Sequence, residues 1–290
     1  MIFLQGLLAL TVLLAIAFAL SEDRRAIPLR VVIGGVGLQI ALALLMTKFP
    51  PAAAAVLALT HGVEALQRAT DAGTALVFGF LGGGPLPYAE TKAGASFILA
   101  FRAFPMVLTI SALATLMFYW GAMQKIVAAF AFVLRRTLGV GGPLGVGAAV
   151  HIFVGMVEAP LIVRPYLTTM SRGELFALMS CGMAGIAGTV MAIYGAILGA
   201  HVPDALPNII TASIISTPAA LALAALMVPF RPDERTTQIE LADPPANSFE
   251  AIVRGTMDGV KILAGIIALL IVLVALVHLV DAALSLLPEV

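Results

Sequence analysis

Cysteine is almost missing: Cys181 is alone among 290 residues. It has no thiol partner for an internal disulfide and no companion for a structural metal site. Charge is scarce too, at 11% of residues, where soluble domains average about 25%. The 16 basic and 16 acidic residues cancel. With no basic excess to neutralise phosphates, the chain does not read as a nucleic-acid binder. Enzyme motifs are lacking as well. There is no H-E-x-x-H, no G-x-S-x-G and no P-loop, so neither an intramembrane metalloprotease nor an ATP-driven pump is indicated, and no enzymatic role, cofactor or metal is expected. What is present is apolar. Hydrophobic residues make up 61% and mean hydropathy is +1.08. The composition is that of an all-α polytopic membrane protein whose first partner is the lipid bilayer.

A bilayer core about 30 Å thick asks for about 20 apolar residues per span. Met1–Leu20 qualifies and ends at Ser21-Glu22-Asp23-Arg24-Arg25. Ala17-Phe18-Ala19 also resembles a signal-peptide cleavage site, but no basic segment precedes the apolar run. Val31–Phe49 is a second span, stopped by Pro50-Pro51. Val56, Leu59, Val63, Leu66 and Ala69 recur at helical spacing, with His61, Glu64, Gln67 and Arg68 between them. That pattern predicts an amphipathic helix over Ala52–Gly73 lying at the interface, followed by a loop at Gly82–Pro87. Ala95–Tyr119, Glu174–Gly199, Leu206–Val228 and Gly259–Leu287 complete about six spans. The domain reading is two amino-terminal helices (1–49), an interfacial helix and loop (50–94), a transport or gate region (95–229) with a re-entrant hairpin at about 140–167, a cytoplasmic loop (230–258) and a last scaffold helix (259–290).

The positive-inside rule orients the chain. With Arg24 and Arg25 in the cytoplasm, Arg30, Lys125, Arg135, Arg136, Arg164, Arg172, Arg231, Arg235, Arg254 and Lys261 join them. Lys48, Arg68 and Lys92 fall outside, and Arg102 lies within a span. This holds if Val150–Leu161 enters and leaves from the cytoplasmic side, as a re-entrant hairpin does. The expected location is a plasma membrane, the inner membrane of a bacterium.

The informative stretch is His151-Ile152-Phe153-Val154-Gly155-Met156-Val157-Glu158-Ala159-Pro160-Leu161. An unpaired carboxylate in an apolar run costs several kcal/mol, so Glu158 faces a cavity, a substrate or a neighbouring helix. It sits beside Pro160, and broken half-helices are where transporters bind substrates and ions. His151 precedes Glu158 by two helical turns. Its imidazole is either a proton acceptor near neutral pH or a hydrogen-bonded core histidine. Gly182-Met183-Ala184-Gly185-Ile186-Ala187-Gly188 follows no strand. It reads as helix packing, or as backbone left open to a ligand.

Ile152–Gly155, Glu158–Leu161, Arg164–Leu167, Ser171–Leu175 and Gly182–Gly188 resemble the first re-entrant hairpin and next helix of concentrative nucleoside transporters. Ser21–Arg30, Phe101-Arg102 with Pro105, and Met123-Gln124 fit as well. The resemblance implies nucleoside symport on a Na⁺ or H⁺ gradient, with a transport domain moving against a scaffold that forms a homotrimer in the full-length protein. The family's hairpin usually reads N-x-F-V-G-Q-T-E-A-P. Carried over by position, Glu158 meets the nucleobase, Met156 and Val157 replace the Gln and Thr beside it, and Val190 lines the base. Val154 and Ile186 are retained ion-site positions, whereas His151 and Gly185 replace Asn and Ser.

Hard cations want oxygen ligands. Two side-chain oxygens are gone and an imidazole is gained, so H⁺ rather than Na⁺ is the expected coupling ion, with nucleoside as substrate. The family continues with a second hairpin and two more helices, absent after Val290. The expectation is therefore the first half of an inverted-repeat transporter, incomplete as a symporter. The alternative is a non-transporting assembly partner, a truncated or degenerate fragment.

Overall fold

The computed structural model describes residues 2–91, 95–151, 163–186, 188–198, 202–231 and 244–285. Among these, every regular element is helical. In chain order they are α1 (Ile2–Ala19), α2 (Leu29–Lys48), α3 (Pro50–Phe78), α4 (Leu99–Arg102), α5 (Met106–Tyr119), α6 (Ala122–Leu138), α7 (Gly142–His151), α8 (Arg172–Ala184), α9 (Gly188–Leu198), α10 (Ala205–Met227) and α11 (Ser248–Leu284). Short 3₁₀ turns run over Gly79–Gly82 and Arg164–Thr169.

The punctuation is chemical. Phe49, ahead of a proline, is pushed out of the helical region to φ −94°, ψ 110°, which ends α2. Pro50 and Pro51 then open α3, where missing N–H groups cost nothing. The helix expected at the interface accordingly starts two residues earlier than its apolar pattern indicates, and it runs on to Phe78. Asn247 caps α11, its Oδ1 accepting from the Glu250 N–H at 2.9 Å. The expected cytoplasmic loop 230–258 is therefore helical from Ser248 onward, and the last helix is longer than Gly259–Leu287 implies.

Among the described residues, four helices are long and apolar enough to cross a membrane: Leu29–Lys48, Leu99–Tyr119 with its break before Pro105, Ala205–Met227 and Ser248–Leu284. Helix α1 is apolar over the shorter Leu8–Ala19. The expected fourth span, Glu174–Gly199, is not one helix: α8 ends at Ala184 and α9 starts at Gly188. The count of about six thus becomes four full-length candidates, one shorter apolar helix and one broken pair among the described residues. Along α11, Leu269 to Val274 and Leu276, Val277, Leu279 and Val280 are all exposed. A water-soluble protein does not display such a continuous apolar cylinder, whereas lipid tails cover it.

The chain divides into two compact units. The first comprises Met1–Glu64 and Trp120–Pro244, with α10 as its central helix. Val56, Leu206, Ile210 and Ile214 form a buried cluster there, ringed by Leu42, Met46, Val63, Phe130 and Met191. Helix α2 meets α10 backbone to backbone. A Cβ on Gly35 would lie 2.6 Å from the Pro218 carbonyl oxygen and 2.8 Å from the Ala222 Cβ, so only glycine permits the approach. The loop after α1 is tied to the end of α10, the Glu22 N–H donating to the Met227 carbonyl at 2.9 Å.

The second unit comprises Ala65–Tyr119 and Pro245–Val290. Its seam is the G-x-x-x-G pair Gly255 and Gly259 on α11 against Ser111, Ala112 and Leu108 on α5. The Thr70 hydroxyl donates to Thr109 Oγ1 at 2.8 Å, fastening the end of α3 to α5.

Candidate functional site

Helix α7 is buried on every side: from Leu144 to His151 each residue is shielded from solvent. Small residues make that possible. A Cβ on Gly147 would fall 2.4 Å from the Leu178 Cδ1, so α7 lies tight against α8. His151, the last residue of α7, is 3% exposed, and neither ring nitrogen has a hydrogen-bond partner among the described residues. Val154, Met156, Val157 and Glu158 lie outside the described residues. Val163 is buried, and the 3₁₀ turn Arg164–Thr169 leads from it toward Ser171.

Ser171 starts α8 with a reciprocal cap. Its side chain accepts from the Glu174 N–H at 3.3 Å, and the Glu174 carboxylate accepts from the Ser171 N–H at 2.7 Å. An exposed Arg172–Glu22 pair at 2.7 Å ties this end of α8 to the loop after α1.

The helix then breaks where the resemblance places an ion site. Gly185 leaves helical geometry at φ −95°, ψ 166°, its N–H still donating to the Cys181 carbonyl at 3.3 Å. Ile186 is half-buried beside it, and α9 begins two residues later. Three oxygens surround the space a side chain on Gly185 would take: the His151 carbonyl at 3.7 Å, the Cys181 carbonyl at 3.8 Å and the Ser216 hydroxyl at 3.9 Å, each measured to an ideal Cβ. His151 and Gly185 are thus neighbours in space through the His151 main chain. Val190, half-buried on the first turn of α9, lies on the other side of the break.

The α10 contribution to this neighbourhood is not among the sequence-level candidates. Ser213 and Thr217 are buried, and neither hydroxyl has a partner among the described residues. The Ser216 hydroxyl donates to the Ser213 carbonyl at 2.9 Å, and the buried Cys181 thiol contacts the Thr217 carbonyl at 3.9 Å. The signal is there to be read: Ser213, Ser216, Thr217 and Pro218 interrupt an otherwise apolar span. Pro218 has no N–H, which deprives the Ile214 carbonyl of its helical donor. No group of three or more metal-ligating His, Cys, Asp or Glu side chains occurs among the described residues. A cation here would have to rely on carbonyl and hydroxyl oxygens, the donors a hard cation prefers.

Arg102, in the second unit, stands 5.4 Å from the Phe97 ring centroid. It also acts on Asp71, which lies on α3 outside the spanning helices. Burial raises the Asp71 carboxyl above its ordinary pKa, and the Arg102 charge lowers it in part.

Three family models match: "Na+ dependent nucleoside transporter N-terminus" over residues 8–81, "Nucleoside recognition" over 100–201, and "Na+ dependent nucleoside transporter C-terminus" over 208–290. The chain belongs to the concentrative nucleoside transporter family. An uncharacterized transporter of Haemophilus influenzae is 36% identical to it over 97% of this chain and 65% of that protein. Sodium/nucleoside cotransporter 1 of Rattus norvegicus is 32% identical over 94% of this chain and 40% of that protein. The solved structure of CNTnw in an inward-facing substrate-bound state matches with a TM-score of 0.83 at 34% identity, over 97% of this chain and 65% of that one. The chain spans less than two thirds of the length of each of these. The family is one of multi-pass membrane transporters. Because the C-terminus model matches residues 208–290, the expected restriction to a first half gains no support.

Proposed function

We propose that this chain carries nucleosides across a plasma membrane by symport, with a proton as the coupling ion and His151 as its carrier. The observation that carries the reading is the buried His151 imidazole, whose nitrogens lack partners among the described residues, next to a helix break at Gly185. A neutral imidazole in such a place takes up a proton only when an anionic group or a substrate dipole compensates it. Glu158, seven residues on, is the proposed compensating and substrate-contacting group. Met156 and Val157 present apolar contacts to the base where the family has an amide and a hydroxyl, and Val190 adds a third. Val154, Gly185 and Ile186 form the remainder of the ion site.

Sodium is the second reading. It is favoured by the name of the rat relative and by the three oxygens around Gly185. Uptake of labelled uridine into vesicles carrying the protein separates the two. A pH gradient without sodium is expected to drive uptake, and His151→Asn is expected to abolish that drive. Uptake that strictly requires sodium refutes proton coupling.

A further inference from the structure

Hydroxyls within helices often bond backward along their own helix. Thr60, Thr70, Thr115, Thr137 and Ser180 do so here, each donating to the carbonyl four residues earlier at 2.7 to 3.0 Å. Ser213 and Thr217 do not. They lie in the middle of α10, 2% and 1% exposed, and neither hydroxyl has a partner among the described residues. For Thr217 the cause is local: the carbonyl it would reach, that of Ser213, already accepts from the Ser216 hydroxyl at 2.9 Å. Two open hydroxyls four residues apart share one face of the helix. That face is not the one pressed on α2, where Pro218 and Ala222 meet Gly35. It belongs to the α8 side. The Thr217 carbonyl is 3.9 Å from Cys181 Sγ, and the Ser216 hydroxyl borders the space beside Gly185.

At mid-span depth neither lipid tails nor bulk solvent offer a hydrogen bond, so two unmet hydroxyls are costly. One small molecule removes the cost at both. Water brings donors and acceptors together, and a buried water needs two to four polar partners. Ser213 Oγ, Thr217 Oγ1 and the Cys181 sulfur supply them. There is slack alongside: a Cβ on Gly185 would meet nothing nearer than 3.7 Å. A hard cation asks for about six oxygen ligands, and two hydroxyls fall short of that.

We propose that a water molecule is bound between α8 and α10, hydrogen-bonded to Ser213 Oγ and Thr217 Oγ1 and touching Cys181 Sγ. It pins the turn of α10 that faces the break at Gly185, and it does not depend on which ion couples transport. The whole chain in detergent is given millisecond X-ray pulses that turn water into hydroxyl radicals, and oxidation is read residue by residue by mass spectrometry. Cys181 is 0% exposed, so radicals from bulk solvent do not reach it but those from an adjacent bound water do. Wild-type Cys181 is expected to be oxidised, and Ser213→Ala/Thr217→Val to lose that oxidation. In thermal unfolding, Ser213→Ala and Thr217→Val are each expected to lower Tm by about 2–4 °C, the size of one lost hydrogen bond. The double variant is expected to fall no further than the worse single, because one water serves both hydroxyls. Should a variant fail to fold, the wild-type oxidation still decides. Unoxidised wild-type Cys181 overturns the site. So does a higher Tm in either single variant, the outcome for a dry, unpaired hydroxyl, or a full sum of losses in the double. A Tm raised by sodium chloride over choline chloride in the wild type but not in Thr217→Val assigns the site to a cation and overturns the water.

Discussion

Substituting Gly185 by serine tests the helix break directly. The backbone there, at φ −95° and ψ 166°, suits any L-residue. An added Cβ would meet its nearest neighbours at 3.7, 3.8 and 3.9 Å, which are ordinary van der Waals separations. Sterics therefore cost nothing. Stiffening the unfolded chain contributes about 0.4–1 kcal/mol in favour of the variant. A buried hydroxyl without a partner costs about 1–3 kcal/mol, but the Ser216 hydroxyl and two carbonyl oxygens stand within reach. The expected stability change is within about 1 kcal/mol of zero. The larger effect falls on sodium, because the variant adds a side-chain oxygen to three already converging. A ligand at a hundred times its Kd stabilises by about 2.7 kcal/mol. Thermal unfolding in sodium chloride against choline chloride reads this. The wild type is expected to unfold at the same temperature in both salts, and Gly185→Ser to unfold later in sodium. A variant that cannot fold refutes the space described around Gly185. A wild type stabilised by sodium as strongly as the variant refutes the argument that the missing hydroxyl disfavours the ion.

The α5–α11 seam predicts opposite outcomes for two glycines on one helix. Gly255→Ala places a Cβ 2.6 Å from the Ser111 carbonyl oxygen and 2.7 Å from the Ala112 Cα, and overpacking of that kind costs about 1–3 kcal/mol. Gly265→Ala meets nothing within 4 Å and gains up to about 1 kcal/mol of helix propensity, so equal Tm shifts in the pair would refute the seam. Asp71 predicts a pH effect. Its folded pKa is raised, so the folded state holds the proton more tightly than the unfolded chain. That contribution is full below the ordinary carboxyl pKa and fades as pH rises through the folded value. Asp71→Asn is expected to raise Tm at pH 7 and to flatten its decline between pH 4 and 7. A lower Tm at pH 7 would mean that the attraction to Arg102 outweighs the cost of burial.

Membrane class, helical architecture and most helix positions are legible in composition and hydropathy, because the bilayer imposes one length scale on every span. The resemblance carried by Ile152–Leu161 and its neighbours is what reaches the family, and the family models agree with it. Hydropathy cannot see the break at Gly185, since Ile186 and its neighbours stay apolar across it and only the backbone changes course. The start of α11 at Ser248 is hidden for the opposite reason: residues 248–258 are polar enough to pass for a loop, and the Asn247 cap sets the boundary. Ser213, Ser216 and Thr217 escape notice because hydroxyls at helical spacing satisfy themselves locally in many spans. Their meaning appears only once Gly185 and Cys181 are brought beside them.

The Gly35–Pro218 contact has a mechanical consequence. Side chains accommodate sliding by changing rotamers, but a main chain pressed against a main chain has no such freedom. Shifting α2 by one turn would offer Val31, Val32, Leu38 or Gln39 to the Pro218 carbonyl in place of Gly35, and each carries a Cβ where none fits. The two helices consequently act as a ratchet with a single tooth, locked in one register. Any rearrangement within this unit must leave this strut intact and bend the polypeptide elsewhere.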